Sequence, residues 1–136
     1  MIELLVNIDV DDVERGRAFY QDAFGFSIGR RFGDDAVELV GAACKVYLLA
    51  KPAGSVSSAG GEPRRYQRHW TPVHLDLVVD DIDAALARAL AAGARLEGEV
   101  QTRAWGKMAL LADPFGHGCC LLQFLGRGYD ALTSSS

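Results

Sequence analysis

A short motif that occurs twice is the strongest constraint on how this chain can fold. Residues 5–13 read LVNIDVDDV and residues 74–82 read HLDLVVDDI, so a shift of 69 positions superposes two apolar segments and two Asp-Asp pairs. Apolar residues alternate with other residues over positions 2–10, a period of two that indicates a strand with one face on a core. In the second copy, His74 and Asp76 share one face of the predicted strand. The chain is therefore predicted to contain two related modules, each opened by a strand.

A helix is predicted after each of these strands. Asp11-Asp12 and Asp80-Asp81 can supply an N-cap carboxylate and negative charge at the helix start, so the acidic pairs need no catalytic role. Gly25 and Gly93 are expected to end the two helices. Apolar stripes at spacings of three and four define the buried faces: Val13, Phe19, Tyr20, Ala23 and Phe24 in the first helix, and Ile82, Ala85, Leu86, Ala89 and Leu90 in the second.

Three further strands are predicted after each helix. They cover Ser27–Phe32, Ala36–Val40 and Cys44–Ala50 in the first half, and Arg95–Gln101, Lys107–Ala112 and Cys119–Leu125 in the second. The fold class is therefore α+β, with two βαβββ modules. We predict one domain over residues 1–126, made of module 1 (1–51) and module 2 (72–126). A mobile Gly-, Ser- and Pro-rich connector (52–71) joins them, and residues 127–136 form a C-terminal tail with a frayed end.

Composition narrows the functional classes. About half of the residues are hydrophobic (49%) and 24% are charged, as in globular proteins, and the net charge of -4 does not favour nucleic acid or anionic membranes as partners. The N-terminus has no basic, apolar leader pattern, so a cytoplasmic protein is expected. Cys44, Cys119 and Cys120 are odd in number and lack C-x-x-C spacing, and we interpret them as buried, reduced thiols.

Three motifs resemble the vicinal oxygen chelate superfamily, which includes glyoxalases, bleomycin-resistance proteins and extradiol dioxygenases. They are F-Y-x-x-x-F-G-F at 19–26, HLDLVVDD at 74–81 and LADPFGHG at 111–118, within the repeated βαβββ unit. The resemblance covers about residues 2–126. It implies that each mixed sheet curls into a half-barrel, that the two modules form a cup for a small ligand, and that chains pair as homodimers.

The resemblance also implies where a metal would be held. In metal-dependent members the ligands come from four strand positions, which correspond to Leu5, Tyr47, His74 and Cys120 here. Only His74 is the expected type: Leu5 has no donor atom, a neutral Tyr47 is a poor ligand, and Cys120 is chemically able to bind. A catalytic divalent metal usually has about three protein ligands. We therefore predict no cofactor, and a divalent metal held through His74 is the alternative.

Strand parity predicts which side chains face a ligand. The concave surface is expected to collect Glu3, Leu5, Asn7, Asp9, Lys45, Tyr47, His74, Asp76, Cys120 and Leu122. Outside the strands, Trp70, Tyr66 and Trp105 either close over a flat ligand or pack beneath a loop. A basic segment holding Arg64, Arg65 and Arg68 suits an anionic ligand, the partner of a dimer, or plain solvent.

Three functions remain open. The first is a small-molecule binding protein without a catalytic metal, as in sequestration of the bleomycin-resistance type. The second is a lyase, isomerase or dioxygenase in which His74 is a metal ligand or a base oriented by Asp76; otherwise His74 stays neutral and Asp76 bonds elsewhere. The third is a structural or protein-binding module whose cup is filled by its own side chains.

Overall fold

The computed structural model describes residues 1–134, which form two compact units that divide between Gln67 and Arg68. The N-terminal unit contains β1 (Leu5–Val10), α1 (Val13–Phe24), β2 (Ser27–Phe32), β3 (Ala36–Val40) and β4 (Lys45–Ala50). The C-terminal unit contains β5 (Leu75–Val78), α2 (Ile82–Ala92), β6 (Arg95–Leu96), β7 (Gln101–Arg103), β8 (Gly106–Ala112), β9 (Gly118–Phe124) and a 3-10 helix (Gly128–Leu132). The predicted α+β class is confirmed. Positions 135 and 136 of the predicted tail lie outside the described residues.

The sheet of the N-terminal unit has one face covered by α1 and one open face. Its strand order is β1-β4-β3-β2, with β1 parallel to β4 and the other pairs antiparallel. Alternate strand residues are buried on the covered face, where they meet the predicted helix stripe: Val10, Val37, Leu39, Val46 and Leu48 from the sheet, and Phe19, Tyr20 and Ala23 from α1. Residues of the opposite parity, including Asn7, Glu38 and Tyr47, belong to the open face.

The sheet of the C-terminal unit repeats this arrangement with one difference. Its order is β5-β9-β8-β6, and β7 pairs with β8 as well. The prediction of one continuous strand over Arg95–Gln101 is wrong, because the structure has two short strands there, β6 and β7. Between them, four residues (97–100) stand opposite only two residues of β8 (109 and 110). Gly98 lies in this interruption at a φ of 79°, a left-handed conformation that favours glycine.

Both helices begin and end where the sequence predicts. Asp12 accepts a hydrogen bond from the Arg15 amide at 3.0 Å, and Asp81 accepts from the amides of residues 83 and 84 at 3.1 and 3.2 Å. Gly25 and Gly93 follow the last helical residues in left-handed conformations. Within residues 1–134, neither helix has the length and apolar character needed to cross a membrane.

The first part of the predicted connector is irregular but hydrogen-bonded. The Gly54 amide donates to the Arg64 carbonyl at 2.7 Å, and the Arg64 amide donates to the Ser55 carbonyl at 2.8 Å. The side chain of Arg64 reaches β1, where its Nε donates to the Asp9 carboxylate at 2.8 Å. Tyr66 donates to the Lys51 carbonyl at 2.5 Å. These bonds attach the segment to the N-terminal unit.

Candidate functional site

The open face of the C-terminal unit brings together three side chains that bear on chemistry. Asp76 in β5 pairs directly with Cys120 in the parallel strand β9, and His74 lies two residues before Asp76. The Nδ1 atom of His74 is 3.3 Å from Oδ1 of Asp76. One potential ligand atom from each of the three residues lies within 4.8 Å of the others. We call this set the His74 cluster.

The thiols in this region are protonated at neutral pH. Burial, together with the charge of Asp76 and a hydrogen bond to it, raises the pKa of Cys120 to about 11. Burial likewise raises the pKa of Cys119 to about 12. Cys120 therefore donates a hydrogen bond to the Asp76 carboxylate and is not a ready thiolate nucleophile. All three cysteines are free, as predicted; Cys120 is buried, whereas Cys44 and Cys119 are half-buried.

A small hollow of about 80 Å³, open to solvent, adjoins the His74 cluster. Its walls combine aromatic, aliphatic and thiol groups with a few polar ones: Arg68, Trp70, Thr71, His74, Leu110, Gly118, Cys119 and Cys120. Trp70 leaves 76% of its surface exposed. The side chains that line the hollow leave it open to solvent.

Arg68 is held in one orientation at the edge of the hollow. Its Nε and Nη2 atoms donate to the two carboxylate oxygens of Glu97 at 2.7 and 3.0 Å, and its Nη1 donates to the His69 carbonyl. The guanidinium lies against Gly118, where a Cβ atom would be 2.6 Å from Nη2. The hydrogen bonds from Arg68, together with its charge, lower the pKa of Glu97. The basic segment signals Arg68 in the sequence, but the roles of Glu97 and Gly118 appear only in three dimensions.

Two predicted ligand-binding residues of this unit lie outside the hollow. Trp105 packs with Phe124 and Tyr129, at ring-centroid distances of 6.0 and 5.3 Å. Leu122 is buried in β9. Their role in ligand binding stays a prediction.

The predicted residues of the N-terminal unit have separate surroundings. Leu5 and Asn7 are exposed on β1, and Asp9 on the same strand is engaged by Arg64. Tyr47 belongs to a polar cluster with Arg30 and Glu38, two residues that are absent from the sequence-based predictions. We call these three residues the Arg30 cluster.

Glu38 is the centre of the Arg30 cluster. Its side chain is only 5% exposed. Oε2 accepts from Tyr47 Oη at 2.7 Å and from Arg30 Nε and Nη2 at 3.1 and 2.6 Å, while Oε1 accepts from the Arg30 amide at 3.1 Å. Hydrogen bonds from Arg30 and then Tyr47 lower the pKa of Glu38 to about 2, and the bond to Glu38 raises the pKa of Tyr47. The sequence signal for Glu38 is a charged residue between buried neighbours in the strand AVELV.

A β-bulge builds this cluster. Ile28 pairs with Leu39 and Arg31 pairs with Val37, so residues 29 and 30 both stand opposite Glu38. The bulge directs the Arg30 amide to the carboxylate instead of to the strand ladder. Gly29 is required there, because a Cβ atom would collide with Oε1 of Glu38.

The family's four metal positions do not fit a divalent metal in this chain. Leu5 offers no donor, the Tyr47 hydroxyl is engaged by Glu38 and Arg30, and Cys120 is protonated. The His74 cluster is a different set, with one nitrogen, one oxygen and one sulfur donor. Its composition is compatible with a metal such as zinc only if Cys120 loses its proton.

Comparison with known proteins agrees with the fold. A model of the glyoxalase-like domain matches residues 5–122. An uncharacterised protein of Mycobacterium bovis is 34% identical over 113 residues, which are 79% of this chain and 74% of that protein. The chain therefore belongs to the glyoxalase-like family, and its resemblance to the vicinal oxygen chelate superfamily is confirmed.

Solved structures support the same fold. A glyoxalase/bleomycin resistance protein/dioxygenase family enzyme from Burkholderia phytofirmans is 20% identical, with a TM-score of 0.67 and coverage of 89% of this chain and 97% of its own. TioX from Micromonospora sp. is 23% identical, with a TM-score of 0.69 and coverage of 92% and 100%. At this level of identity the likeness concerns the fold, and substrate and reaction depend on the site.

Proposed function

We propose that the protein binds a small organic molecule in the hollow of the C-terminal unit and does so without a catalytic metal. The hollow itself is the observation that supports this proposal. It has mostly apolar walls with a few polar groups, the usual character of small-molecule sites. Sequestration, as in the bleomycin-resistance branch of the superfamily, requires binding of this kind and no chemical step.

The charges around the hollow favour a flat ligand with little net charge. Glu97 compensates the charge of Arg68. The guanidinium therefore acts as a fixed part of the wall and not as a free cation. Trp70 offers a large exposed ring on which a flat molecule can stack. His74 is a polar wall residue that can orient the ligand.

The test uses Trp70 as a fluorescent reporter. The chain has two tryptophans, so W105F leaves Trp70 as the only one. In this background, a library of uncharged aromatic fragments is screened for saturable changes in emission. L110F narrows the hollow, whereas L90F adds the same atoms to a leucine of similar exposure on α2, 41% against 38%. We expect L110F to weaken binding of the hits about tenfold and L90F to leave it unchanged. Absence of saturable hits, or equal losses in both variants, would contradict the proposal.

The His74 cluster favours one second candidate, a metal-dependent or His-based lyase, isomerase or dioxygenase. A histidine 3.3 Å from a carboxylate can serve as a general base, and the three donors can approach one ion. Two of the four family metal positions do not offer a usual ligand, because Leu5 has no donor atom and the Tyr47 hydroxyl is engaged by Glu38 and Arg30. We therefore place the metal-free function first.

Metal analysis separates the two candidates. Protein purified without chelators is analysed by mass spectrometry for transition metals, alongside H74A and the control H69A, which removes a histidine outside the cluster. We expect all three to contain well below one equivalent. A stoichiometric metal that H74A loses and H69A keeps would overturn the metal-free proposal.

We also propose that the chain acts as a homodimer, without nucleic-acid or membrane partners. This part follows from membership of the superfamily and from the net charge of -4. Light scattering coupled to gel filtration is expected to give twice the chain mass. A cytoplasmic location stays a prediction.

A further inference from the structure

The Arg30 cluster has the construction of a binding site. It belongs to the N-terminal unit and consists of other residues than those that line the hollow. A charged carboxylate that is almost fully buried, Glu38, accepts four hydrogen bonds, three from Arg30 and one from Tyr47. Burying a carboxylate is unfavourable unless partners of this kind compensate it. The bulge and Gly29 both serve this arrangement.

The Arg30 guanidinium, which Glu38 holds, is itself exposed to solvent. The Arg30 side chain is 64% exposed. Its amide, Nε and Nη2 take part in the hydrogen bonds of the cluster, and Nη1 takes part in none of them. A planar guanidinium is therefore fixed in one orientation with one edge facing outward, and the entropy cost of ordering it has already been met on folding.

An apolar surface lies beside this open edge. Arg30 Cζ is 5.5 Å from the centroid of the Phe32 ring, and the Phe32 ring is 6.3 Å from that of Tyr47. Phe32 is 44% exposed although it is large and apolar. A cation edge next to an exposed ring is complementary to a molecule that joins a carboxylate to an apolar or aromatic body.

We propose that Arg30 binds the carboxylate of a small apolar acid, whose body packs against Phe32. Glu38 is the positioning residue, which acts by fixing the guanidinium. Because Glu38 compensates the charge of Arg30, selection depends on the directed N–H groups of the guanidinium more than on net charge. A minimal acid is therefore expected to bind weakly but saturably.

Benzoate is the probe, and benzyl alcohol is its uncharged counterpart. Titration of ¹⁵N-labelled protein with benzoate is expected to shift the amides around Phe32 and Tyr47 saturably, with a dissociation constant in the millimolar range, about 1–20 mM. Benzyl alcohol is expected to give no saturable shift at the same positions.

A neighbouring arginine provides the matched control. Arg31 pairs with Glu14 of α1 at 2.8 Å and so lies on the opposite face of β2 from the cluster. We expect R30M to weaken benzoate binding about tenfold and R31M to leave it unchanged. R30K keeps the charge without the planar fork, so it is expected to weaken binding as well and serves if R30M fails to fold.

Three outcomes would overturn the proposal. The first is that benzoate causes no saturable shift of these amides in the wild-type protein. The second is that a folded R30M or R30K variant binds benzoate as tightly as wild-type does, and the third is that benzyl alcohol binds as well as benzoate. The L110F variant changes only the hollow of the C-terminal unit. It is expected to bind benzoate at the Arg30 cluster with unchanged affinity. Failure of the hollow proposal and failure of this one are therefore distinguishable.

Discussion

Glu38 is the residue on which the Arg30 cluster depends. It lies in β3 between the buried Val37 and Leu39 and is itself almost fully buried. Arg30 reaches it because the bulge in β2 places residues 29 and 30 opposite Glu38. A buried carboxylate held by an arginine makes a prediction about stability.

The lowered pKa of Glu38 predicts how stability depends on pH. Its pKa is about 2 in the folded protein against an ordinary value of 4.5, so on acidification the unfolded chain takes up the proton first. The stabilisation is complete above about pH 5 and is lost as pH falls towards 2. We expect E38Q to melt below wild-type at pH 7, with the difference shrinking between pH 5 and 2.

The control for this measurement is E62Q, which makes the same chemical change at an exposed glutamate 4.0 Å from Arg65. Exposed ion pairs contribute little to stability, so E62Q is expected to melt close to wild-type throughout. A constant difference between E38Q and wild-type across this pH range would show that the Glu38 charge is not responsible.

At the scale of elements, the sequence predicts helices better than strand interruptions. Helix starts and ends follow from local chemistry, namely the caps Asp12 and Asp81 and the glycines that follow each helix. Gly98 is a local signal for the interruption between β6 and β7, but the residues of β8 that stand opposite depend on a register that no local pattern supplies.

The two members of an acidic pair are expected to differ in their contribution to stability. Asp81 accepts the hydrogen bonds of the first helical turn of α2, whereas Asp80 precedes the cap and is exposed. We expect D81A to lower the free energy of unfolding by about 1 kcal/mol and D80A to change it by less than about 0.5 kcal/mol. Urea unfolding followed by circular dichroism measures both. Equal losses would mean that overall charge, and not capping, stabilises the helix.

At the scale of the whole molecule, one scaffold is used twice with different chemistry. Asn7 pairs with Tyr47 in the first sheet at the register where Asp76 pairs with Cys120 in the second. The repeat thus predicts where candidate site residues stand in each unit. It does not predict their partners, because the Arg30 cluster depends on a bulge and Arg68 on a glycine in a distant strand.

Composition predicts a mobile connector, and the structure places paired amides within it. We expect the amides of Gly54 and Arg64 to exchange with deuterium more slowly than those of Ser58 and Ala59. R64M removes the ion pair to Asp9 and is expected to speed exchange at the first two positions. R65M is the control, since Arg65 makes only a 4.0 Å contact with Glu62. Fast exchange at all four amides in wild-type would instead support a mobile connector.

Gly118 is a position at which a substitution would change the shape of the hollow. The Arg68 guanidinium rests on this residue because no side chain is there, and the Glu97 carboxylate holds it in place. A single methyl group at position 118 would displace a wall of the hollow while every other wall residue kept its identity. The absence of a side chain at position 118 thus helps to set the size of the hollow. A substitution at this position is therefore a direct way to reshape it.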